Sequence, residues 1–555
     1  MKILNSKLTY PFLLVIISLL FFVPYLGGVH LFDWDEINFA EISREMLVLN
    51  DYLRVHVNFK AFYEKPPFFF WLQCVSMSIF GINEFAARFP NAICGLITLL
   101  VLYSIGKKLF SARFGWLWTL SYFGSILPFL YFKSGIIDPW FNLFTFLALY
   151  FLIKVCTPEP GTDSQFLPFQ PFRNILWAGC FSGLAILTKG PAALIIITLC
   201  ILTYWLYHRF RTIISFKYLF LFFIISTFFP LLWFGLETLL NGPQFIFEFF
   251  KYQFRLFSTP DAGHAGFPGY HIVVLLFGVF PASVFCIKAF LYKDRDENVG
   301  QKHFKKWMFV LLIVVLILFS IVQSKIVHYS SLCYFPITFL SAYTLDKLLD
   351  QKMQWNKMLV YGLSGMLMIY SIVVIALPVV GMDLDLIKSM FSKDPFALAN
   401  LEADVKWSFV NFLPGIFLAL LFMWFILNAS SFVQFYKVNV FFIGMACFSL
   451  LALIFTIQNI EGYSQNAAIS FYKEKSAEDC YILPYGFKTY GHLFYAQKRR
   501  PNHPEYYQQN WLLNGSTDKP VYVVSKIHKA EELNALTQLQ ELYRLNGFVF
   551  YKRVR

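Results

Sequence analysis

The sequence predicts an α-helical protein that crosses a membrane many times and ends in a small α/β domain. Three observations predict this class. Hydrophobic residues make up 58% of the 555 residues, whereas charged residues make up only 14%. Apolar runs recur between Thr9 and Ile457, and many have about 20 residues, the length of a membrane-spanning helix. From Glu461 onward the composition becomes polar and mixed.

Thirteen apolar stretches are expected to span the membrane, with the N-terminus inside and the C-terminus outside. The expected spans are residues 8–28, 87–106, 113–132, 137–154, 174–188, 190–208, 216–238, 270–292, 306–323, 326–346, 357–380, 408–428 and 437–457. The first is expected to be a retained helix rather than a signal peptide, because little positive charge precedes it and it lacks a small-residue cleavage site.

The orientation follows from the charges in the connecting loops. Short cytoplasmic loops are enriched in Lys and Arg, and four loops share this property: 107–113, 209–211, 293–306 and 347–357. The net charge of +13 is therefore explained by membrane topology, and a nucleic-acid partner is not expected. Nine scattered cysteines without a CxxC pair predict neither a disulfide framework nor a zinc module.

The apolar run 66–80 is predicted to lie along the membrane surface rather than to cross it. If it crossed, the basic loop that begins at Lys107 would fall on the wrong side. The run also opens with two prolines and is rich in aromatic residues, which suits an interfacial helix. The predicted organisation is a membrane domain over 1–460, whose external loop 29–86 contains interfacial helices, and an external α/β domain over 461–555.

The external domain is expected to combine strands and a helix. Strand-like pieces are found at 521–524 and 547–551, and a helical stretch is predicted between them over 529–545.

With this topology, charged and polar residues converge on the external face. They are Asp35, Glu36, Glu64, Lys65, Asp138, Lys189, Arg255, His264, Lys325 and His328. Charges beside a bilayer are costly, so several on one side predict a shared polar cavity. Structural roles are open as well: the acids can cap helices, and lysines can anchor the ends of spans. Glu41 and Glu45, one helical turn apart, are expected to face water.

A cavity of this kind suits a lipid-linked phosphate ester. Basic residues would neutralise the phosphate and a carboxylate would orient or activate an acceptor, while the lipid tail lies between spans. The residues alone leave open a glycosyltransferase, a flippase and a polymerase.

Five motifs carry a resemblance to a known family. They are DWDEINFAEISREM, YEKPPFFFWL, NEFAARFPNAICG, GLAILTKGP and SKIVHY. Together, over about residues 30–345, they resemble the bacterial lipid-A aminoarabinose transferases, which belong to the GT-C class together with protein O-mannosyltransferases. The resemblance implies an inverting glycosyltransferase of the bacterial inner membrane that uses a polyprenyl-phosphate sugar and has a periplasmic active site. The implied acceptor is lipid A, lipopolysaccharide or another glycolipid, with a protein acceptor as the alternative.

The resemblance also implies roles for individual residues. Asp35 corresponds to the catalytic aspartate, with Glu36 beside it, and Asp138 to a supporting carboxylate. Lys65 and Arg255 correspond to contacts of the donor phosphate. The remaining residues of the external set are expected to bind substrate: Glu64, Lys189, His264, Lys325 and His328.

A divalent metal is a possible cofactor at Glu64. Members of the family can carry a histidine three residues before the arginine, and it pairs with the glutamate of the EKPP motif. This chain has Tyr252 at that position, which leaves His264 as the candidate replacement.

Two other classes of function compete with transfer. A flippase or transporter would need the same charged cavity, but the sequence lacks paired broken helices in corresponding halves. A non-catalytic assembly subunit would not need a dense cluster of acids and bases.

Overall fold

The computed structural model describes residues 9–156, 170–211, 213–259, 266–292 and 297–554. The first helices are α1 (Thr9–Phe22), α2 (Asp35–Leu49), α3 (Phe68–Phe80), α4 (Glu84–Leu109), α5 (Ala112–Phe123), α6 (Ile126–Tyr131), α7 (Asp138–Ile153), α8 (Pro171–Lys189) and α9 (Ala192–Tyr207). They are followed by α10 (Phe216–Asn241), α11 (Gln244–Ser258), α12 (Tyr270–Gly278), α13 (Ala282–Phe290), α14 (Val299–Ile321), α15 (Tyr334–Leu349), α16 (Lys357–Met382), α17 (Asp385–Lys388), α18 (Pro395–Asn400), α19 (Leu413–Asn428) and α20 (Phe435–Ala452). The last helices are α21 (Gln458–Gly462), α22 (Asn466–Glu474), α23 (Gly491–Phe494), α24 (Gln509–Asn514) and α25 (Ala530–Asn534).

The predicted class, a multi-pass helical membrane protein, is confirmed. Within the described ranges, six helical runs are long and apolar enough to cross a membrane alone, and α12 with α13 forms a seventh if this pair, bent by 117°, is one span. Each of the thirteen expected stretches contains helix, but several of these helices are short or interrupted. The number thirteen therefore stays a prediction.

The break between α5 and α6 shows why hydropathy alone does not predict the length of a helix. The expected span 113–132 is divided into α5 and α6, with Gly124 at the end of α5. A Cβ atom on Gly124 would lie 2.5 Å from the carbonyl oxygen of Phe442. The backbone of this turn therefore packs directly against α20, a contact that hydropathy does not report.

The basic loops meet at one end of the helical bundle. Arg113, at the start of α5, lies 2.7 Å from carboxylate oxygens of both Asp346 and Asp350 at the end of α15. The hydroxyl of Tyr292 donates to the carbonyl of Lys352 at 3.0 Å. These contacts place the loops that follow α4, α13 and α15 side by side, as the charge pattern predicts.

The segment between α1 and α4, expected to be the first external loop, contains α2, a short hairpin and α3. A short antiparallel hairpin, β1 (His56–Val57) and β2 (Lys60–Ala61), leads into α3. Helix α3 has 13 residues and is therefore about 20 Å long, too short for a hydrocarbon core of about 30 Å. Its buried face, which includes Phe69 and Phe70, packs against α2 and α4. The interfacial position of α3 stays a prediction.

The C-terminal region is a four-stranded mixed sheet with short helices. Its strands are β3 (Tyr481–Tyr485), β4 (Val521–Lys526), β5 (Leu539–Leu545) and β6 (Phe548–Arg553). The order is β3-β4-β6-β5, with β3 and β4 parallel and the other neighbours antiparallel. Strands β4 and β6 lie where the sequence predicts strands.

The predicted helix over 529–545 is wrong. Helix α25 ends at Asn534, four residues of turn follow, and β5 begins at Leu539. Asn546 and Gly547 have φ values of +49° and +77°, the geometry of a tight hairpin turn that favours an Asn-Gly pair. This dipeptide was the available signal that a strand, not a helix, precedes it.

Candidate functional site

A cavity of about 520 Å³ opens where α2, α7, α8, α11 and the turn before α15 approach one another. Its polar lining includes residues from six separate segments: Asp35, Lys65, Asp138, Asn142, Lys189, Tyr252, Gln253 and His328. The rest of the lining is mainly apolar, from Ile137, Phe141, Ile195, Phe250, Phe254, Leu318, Phe319, Val322 and Ile326. One cavity therefore joins a charged centre to a hydrophobic flank.

Asp35 lies at the start of α2, where the positive end of the helix dipole favours a carboxylate. Its side chain is 39% exposed, and its Oδ2 lies 3.5 Å from Nε2 of His328. His328 lies in the 3₁₀ turn Val327–Cys333 that precedes α15. Residues almost 300 positions apart in the sequence thus form an acid–imidazole pair at the cavity surface.

Asp138 and Lys189 form the second polar pair of the cavity. Lys189 Nζ donates to Asp138 Oδ1 at 2.5 Å, with the aspartate at the start of α7 and the lysine at the end of α8. Helix α8 ends at Lys189 because Gly190 adopts a φ of +92° and Pro191 follows. Asp138 Oδ2 is buried without a hydrogen-bond partner among the described residues, which leaves one acceptor for a further group.

Two cations share one aromatic ring at the edge of the cavity. Lys65 Nζ lies 4.7 Å from the ring centroid of Tyr252 and 3.5 Å from its hydroxyl oxygen. The guanidinium carbon of Arg255 lies 5.1 Å from the same centroid. Burial lowers the pKa of Lys65, while the neighbouring carboxylates of Glu64 and Asp35 oppose that change. The arrangement concentrates positive charge where α11 meets the EKPP segment.

Glu36, expected to be catalytic, is placed in a buried ion pair. Its Oε2 and Oε1 accept from Arg88 Nη2 and Nε at 2.7 and 3.0 Å. The backbone amides of Phe32 and Gly135 also donate to this carboxylate, at 3.0 and 2.5 Å. Burial raises the pKa of Glu36, but Arg88 and the two amides outweigh burial and hold it below its ordinary value. The geometry gives Glu36 a structural role and no opening to the cavity.

Lys325 is not among the residues that line the cavity. Its ammonium donates to the carbonyls of Phe319, Ser320 and Val322 at 3.0, 2.7 and 2.6 Å, which are the free acceptors at the end of α14. Because these three hydrogen bonds occupy the ammonium group, the geometry gives no support to the prediction that Lys325 binds substrate.

Within the described residues, the structure shows no set of ligands that would hold a divalent metal at Glu64. Glu64 does not line the cavity, and His264 lies outside the described residues. In the part of the chain that the structure describes, no group of three His, Cys, Asp or Glu side chains is arranged to hold a metal ion.

Asn142 is a cavity residue that the sequence analysis missed. It follows Asp138 by four residues on α7, so the two side chains share a helix face. Its Nδ2 donates to Ser331 Oγ at 2.8 Å, which links α7 to the turn that carries His328. The signal was available in the spacing of the polar residues in DPWFN.

The fold is a GT-C architecture, a helical membrane bundle followed by a small C-terminal region that contains a sheet. The structure aligns with the crystal structure of ArnT from Cupriavidus metallidurans bound to undecaprenyl phosphate, with a TM-score of 0.75, 18% sequence identity and 99% of both chains covered. A family model described as dolichyl-phosphate-mannose-protein mannosyltransferase matches residues 64–234.

Curated relatives agree with the resemblance in the motifs. Undecaprenyl phosphate-alpha-4-amino-4-deoxy-L-arabinose arabinosyl transferase from Photorhabdus laumondii is 27% identical over 355 residues, which cover 62% of this chain and 61% of the relative. The transferase of the same name from Edwardsiella ictaluri is 25% identical over 376 residues, 65% of each chain. The chain therefore matches about three fifths of the length of these relatives. The predicted resemblance to aminoarabinose transferases, and to the protein mannosyltransferases of the GT-C class, is confirmed.

Proposed function

We propose that this protein is a membrane glycosyltransferase that transfers a sugar from a polyprenyl-phosphate donor to a glycolipid acceptor. The observation that carries the proposal is the cavity itself, which places the Asp35 carboxylate and the Lys65 and Lys189 ammonium groups beside an apolar flank. A lipid-linked phosphate ester has the matching parts: an anionic head, a sugar and a long apolar tail. Helix α2, which carries Asp35, contacts the C-terminal region, and that region is expected outside the membrane, so the proposed reaction occurs on the periplasmic face of a bacterial inner membrane.

The donor would lie with its tail against the apolar flank and its phosphate at the cations. Ile195, Phe250 and Phe254 line that flank, and Lys65 and Arg255 lie against the ring of Tyr252 on the same helix as the two phenylalanines. Positive charge at this point stabilises the phosphate more strongly as the bond to the sugar breaks, because negative charge then accumulates on the leaving oxygen. The relatives named for undecaprenyl phosphate support this donor class.

The proposed reaction is a single displacement with inversion. An acceptor oxygen forms a bond to the anomeric carbon while the bond from that carbon to the phosphate oxygen breaks, and the electron pair leaves with the polyprenyl phosphate. Asp35 orients the acceptor and takes its proton when the acceptor is a hydroxyl. A lipid-A phosphate is already anionic and needs only orientation. His328 would hold the Asp35 carboxylate in position, and Asp138 would hold Lys189.

A protein hydroxyl is the second candidate acceptor. The match of residues 64–234 to a protein mannosyltransferase model favours it. A flippase is less well supported, because the described residues include one bent pair of apolar helices rather than two in corresponding halves.

The test uses the purified full-length protein in lipid nanodiscs with undecaprenyl phosphate-aminoarabinose and lipid A. Products are identified by mass spectrometry, with an acceptor-free reaction as the control. The proposal predicts lipid A heavier by one sugar residue, together with release of undecaprenyl phosphate. Transfer to a peptide but not to lipid A would assign the second acceptor class. No turnover with a panel of polyprenyl-phosphate sugars would contradict transfer altogether.

A further inference from the structure

The loop that precedes Asp35 is held by side chains of the C-terminal region. Gln465 Nε2 donates to the carbonyl of Leu31 at 2.7 Å, and its Oε1 accepts from the amide of Asp33 at 3.2 Å. The hydroxyl of Tyr495 accepts from the amide of Leu31 at 2.7 Å. Two side chains thus bind three backbone groups within three consecutive residues.

The other side of the same loop is held from the membrane domain. Arg88 donates to the carbonyls of Val29 and His30 at 2.7 and 2.9 Å, and Glu36 accepts from the amide of Phe32 at 3.0 Å. The loop is therefore clamped between the two parts of the protein, and α2 begins two residues beyond the last bond to Gln465.

We propose that Gln465 is a positioning residue for Asp35, and that the C-terminal region thereby completes the active site. The amide of Gln465 fixes the path of the chain from Leu31 to Asp33. That path sets where α2 begins, and so where the Asp35 carboxylate lies relative to His328 and the donor cations. This inference rests on the proposed transferase function.

The geometry distinguishes this role from general stabilisation of the C-terminal region. Both polar ends of Gln465 bind the backbone of the first external loop, so the side chain joins the two parts of the protein rather than two elements of the sheet. Its loss is expected to move Asp35 while the contacts to the donor phosphate, which are carried by other segments, remain.

The first experiment compares steady-state kinetics of Gln465→Leu with those of the matched control Gln509→Leu, whose residue is exposed on the same C-terminal region. A small displacement of a catalytic group costs about 10–100-fold in rate, so Gln465→Leu should lower kcat by that factor with an unchanged KM for the donor. The Asp35→Asn, Gln465→Leu double variant should be no slower than Asp35→Asn alone. The inference would be overturned if Gln465→Leu left kcat unchanged or raised only the donor KM. It would also be overturned if Gln465→Leu lowered kcat by the same factor in the Asp35→Asn background.

A second variant and a second measurement remain informative if Gln465→Leu folds poorly or the wild type transfers no sugar. Tyr495→Phe keeps the ring and removes only the acceptor of the Leu31 amide, and it should lower kcat in the same pattern by a smaller factor. Hydrogen–deuterium exchange of the peptide that contains residues 30–38 should be faster in Gln465→Leu and unchanged in Gln509→Leu. Unchanged exchange would overturn the clamp whatever the activity, whereas absence of wild-type turnover with faster exchange would contradict only the proposed function.

Discussion

His328 Nε2 lies 3.5 Å from Oδ2 of Asp35 in the lining of the cavity. The aspartate begins α2 and the histidine lies in the turn before α15, so the pair joins the segment between α1 and α4 to the second half of the bundle. In the proposed mechanism, this imidazole holds the carboxylate in position and receives the proton that the carboxylate takes from an acceptor.

Replacement of His328 by Asn tests this relationship. The variant keeps a polar side chain but has no titratable group, so transfer to a hydroxyl acceptor should fall by about 100-fold, the low end of what a general acid–base group contributes. Transfer to a phosphate acceptor should fall less, because no proton has to be removed. The measurement is kcat with the two acceptor types. Equal losses with both would assign His328 to donor binding instead.

Tyr252 is expected to support the phosphate contacts through its ring more than through its hydroxyl. Tyr252→Phe keeps the surface that contacts Lys65 and Arg255, whereas Tyr252→Leu removes it. Each cation–π contact at a partly exposed site is worth about 0.5–1 kcal/mol, so Tyr252→Leu should raise the donor KM several-fold and Tyr252→Phe should have a small effect. The check is the donor concentration dependence of transfer. Equal effects of both variants would show that the hydroxyl, not the ring, is the important part.

Arg88 is expected to be essential for stability because it neutralises the buried carboxylate of Glu36. Arg88→Met would leave that charge unpaired, and removing one partner of a buried ion pair costs about 3–5 kcal/mol. The thermal midpoint in detergent should fall strongly. The matched control is Arg544→Met, which removes an exposed pair with Glu541 worth about 0–1 kcal/mol. A similar midpoint for both variants would contradict the structural role of the Glu36–Arg88 pair.

Glu45 predicts a pH dependence of stability. Burial, followed by the nearby carboxylate of Glu41, raises the pKa of Glu45 above its ordinary value of 4.5. The folded protein therefore retains a proton that the unfolded chain loses above that pH, so this group's contribution to stability decreases as the pH rises from about 4.5. Glu45→Gln mimics the protonated form. It should be more stable than the wild type at pH 8, with little difference near pH 4.

The measurement is the thermal midpoint between pH 4 and pH 8. Glu474→Gln is the matched control, because Glu474 has a side chain that is 61% exposed and should keep the wild-type dependence. A Glu45→Gln variant with the wild-type dependence on pH would contradict the assignment of a bound proton to this site.

The sequence predicted the membrane class well because hydropathy over about 20 residues reflects the bilayer directly. It also predicted several cavity residues, among them Asp35, Lys65 and Asp138, because a charge next to apolar helices has few places to lie. The order of the motifs supplied the rest of that prediction. The sequence could not show which charges are paired inside the protein.

Glu36 and Glu41 illustrate that limit. Glu36 forms an ion pair with Arg88, which lies 52 positions further along the chain. Glu41 is fully buried and forms an ion pair with Arg44 at 2.7 Å. Helical periodicity placed Glu41 and Glu45 toward water, an expectation that is wrong because the C-terminal region covers this part of α2. Arg44 also donates to the carbonyl of Lys498 at 2.9 Å. Residues more than 400 positions away in the sequence bury these side chains, so the sequence around Glu41 contains no indication of their burial.

The most direct test of the proposed function is transfer by the Asp35→Asn variant, measured as glycosylated acceptor formed in a single turnover at saturating donor. Asn keeps the size of the side chain but removes the charge and the ability to take a proton. The proposed mechanism predicts that Asp35→Asn retains the wild-type thermal midpoint and donor binding but transfers sugar to a hydroxyl acceptor at least about 100-fold more slowly. Near-normal transfer by this folded variant would remove Asp35 from the mechanism and contradict the assigned active site.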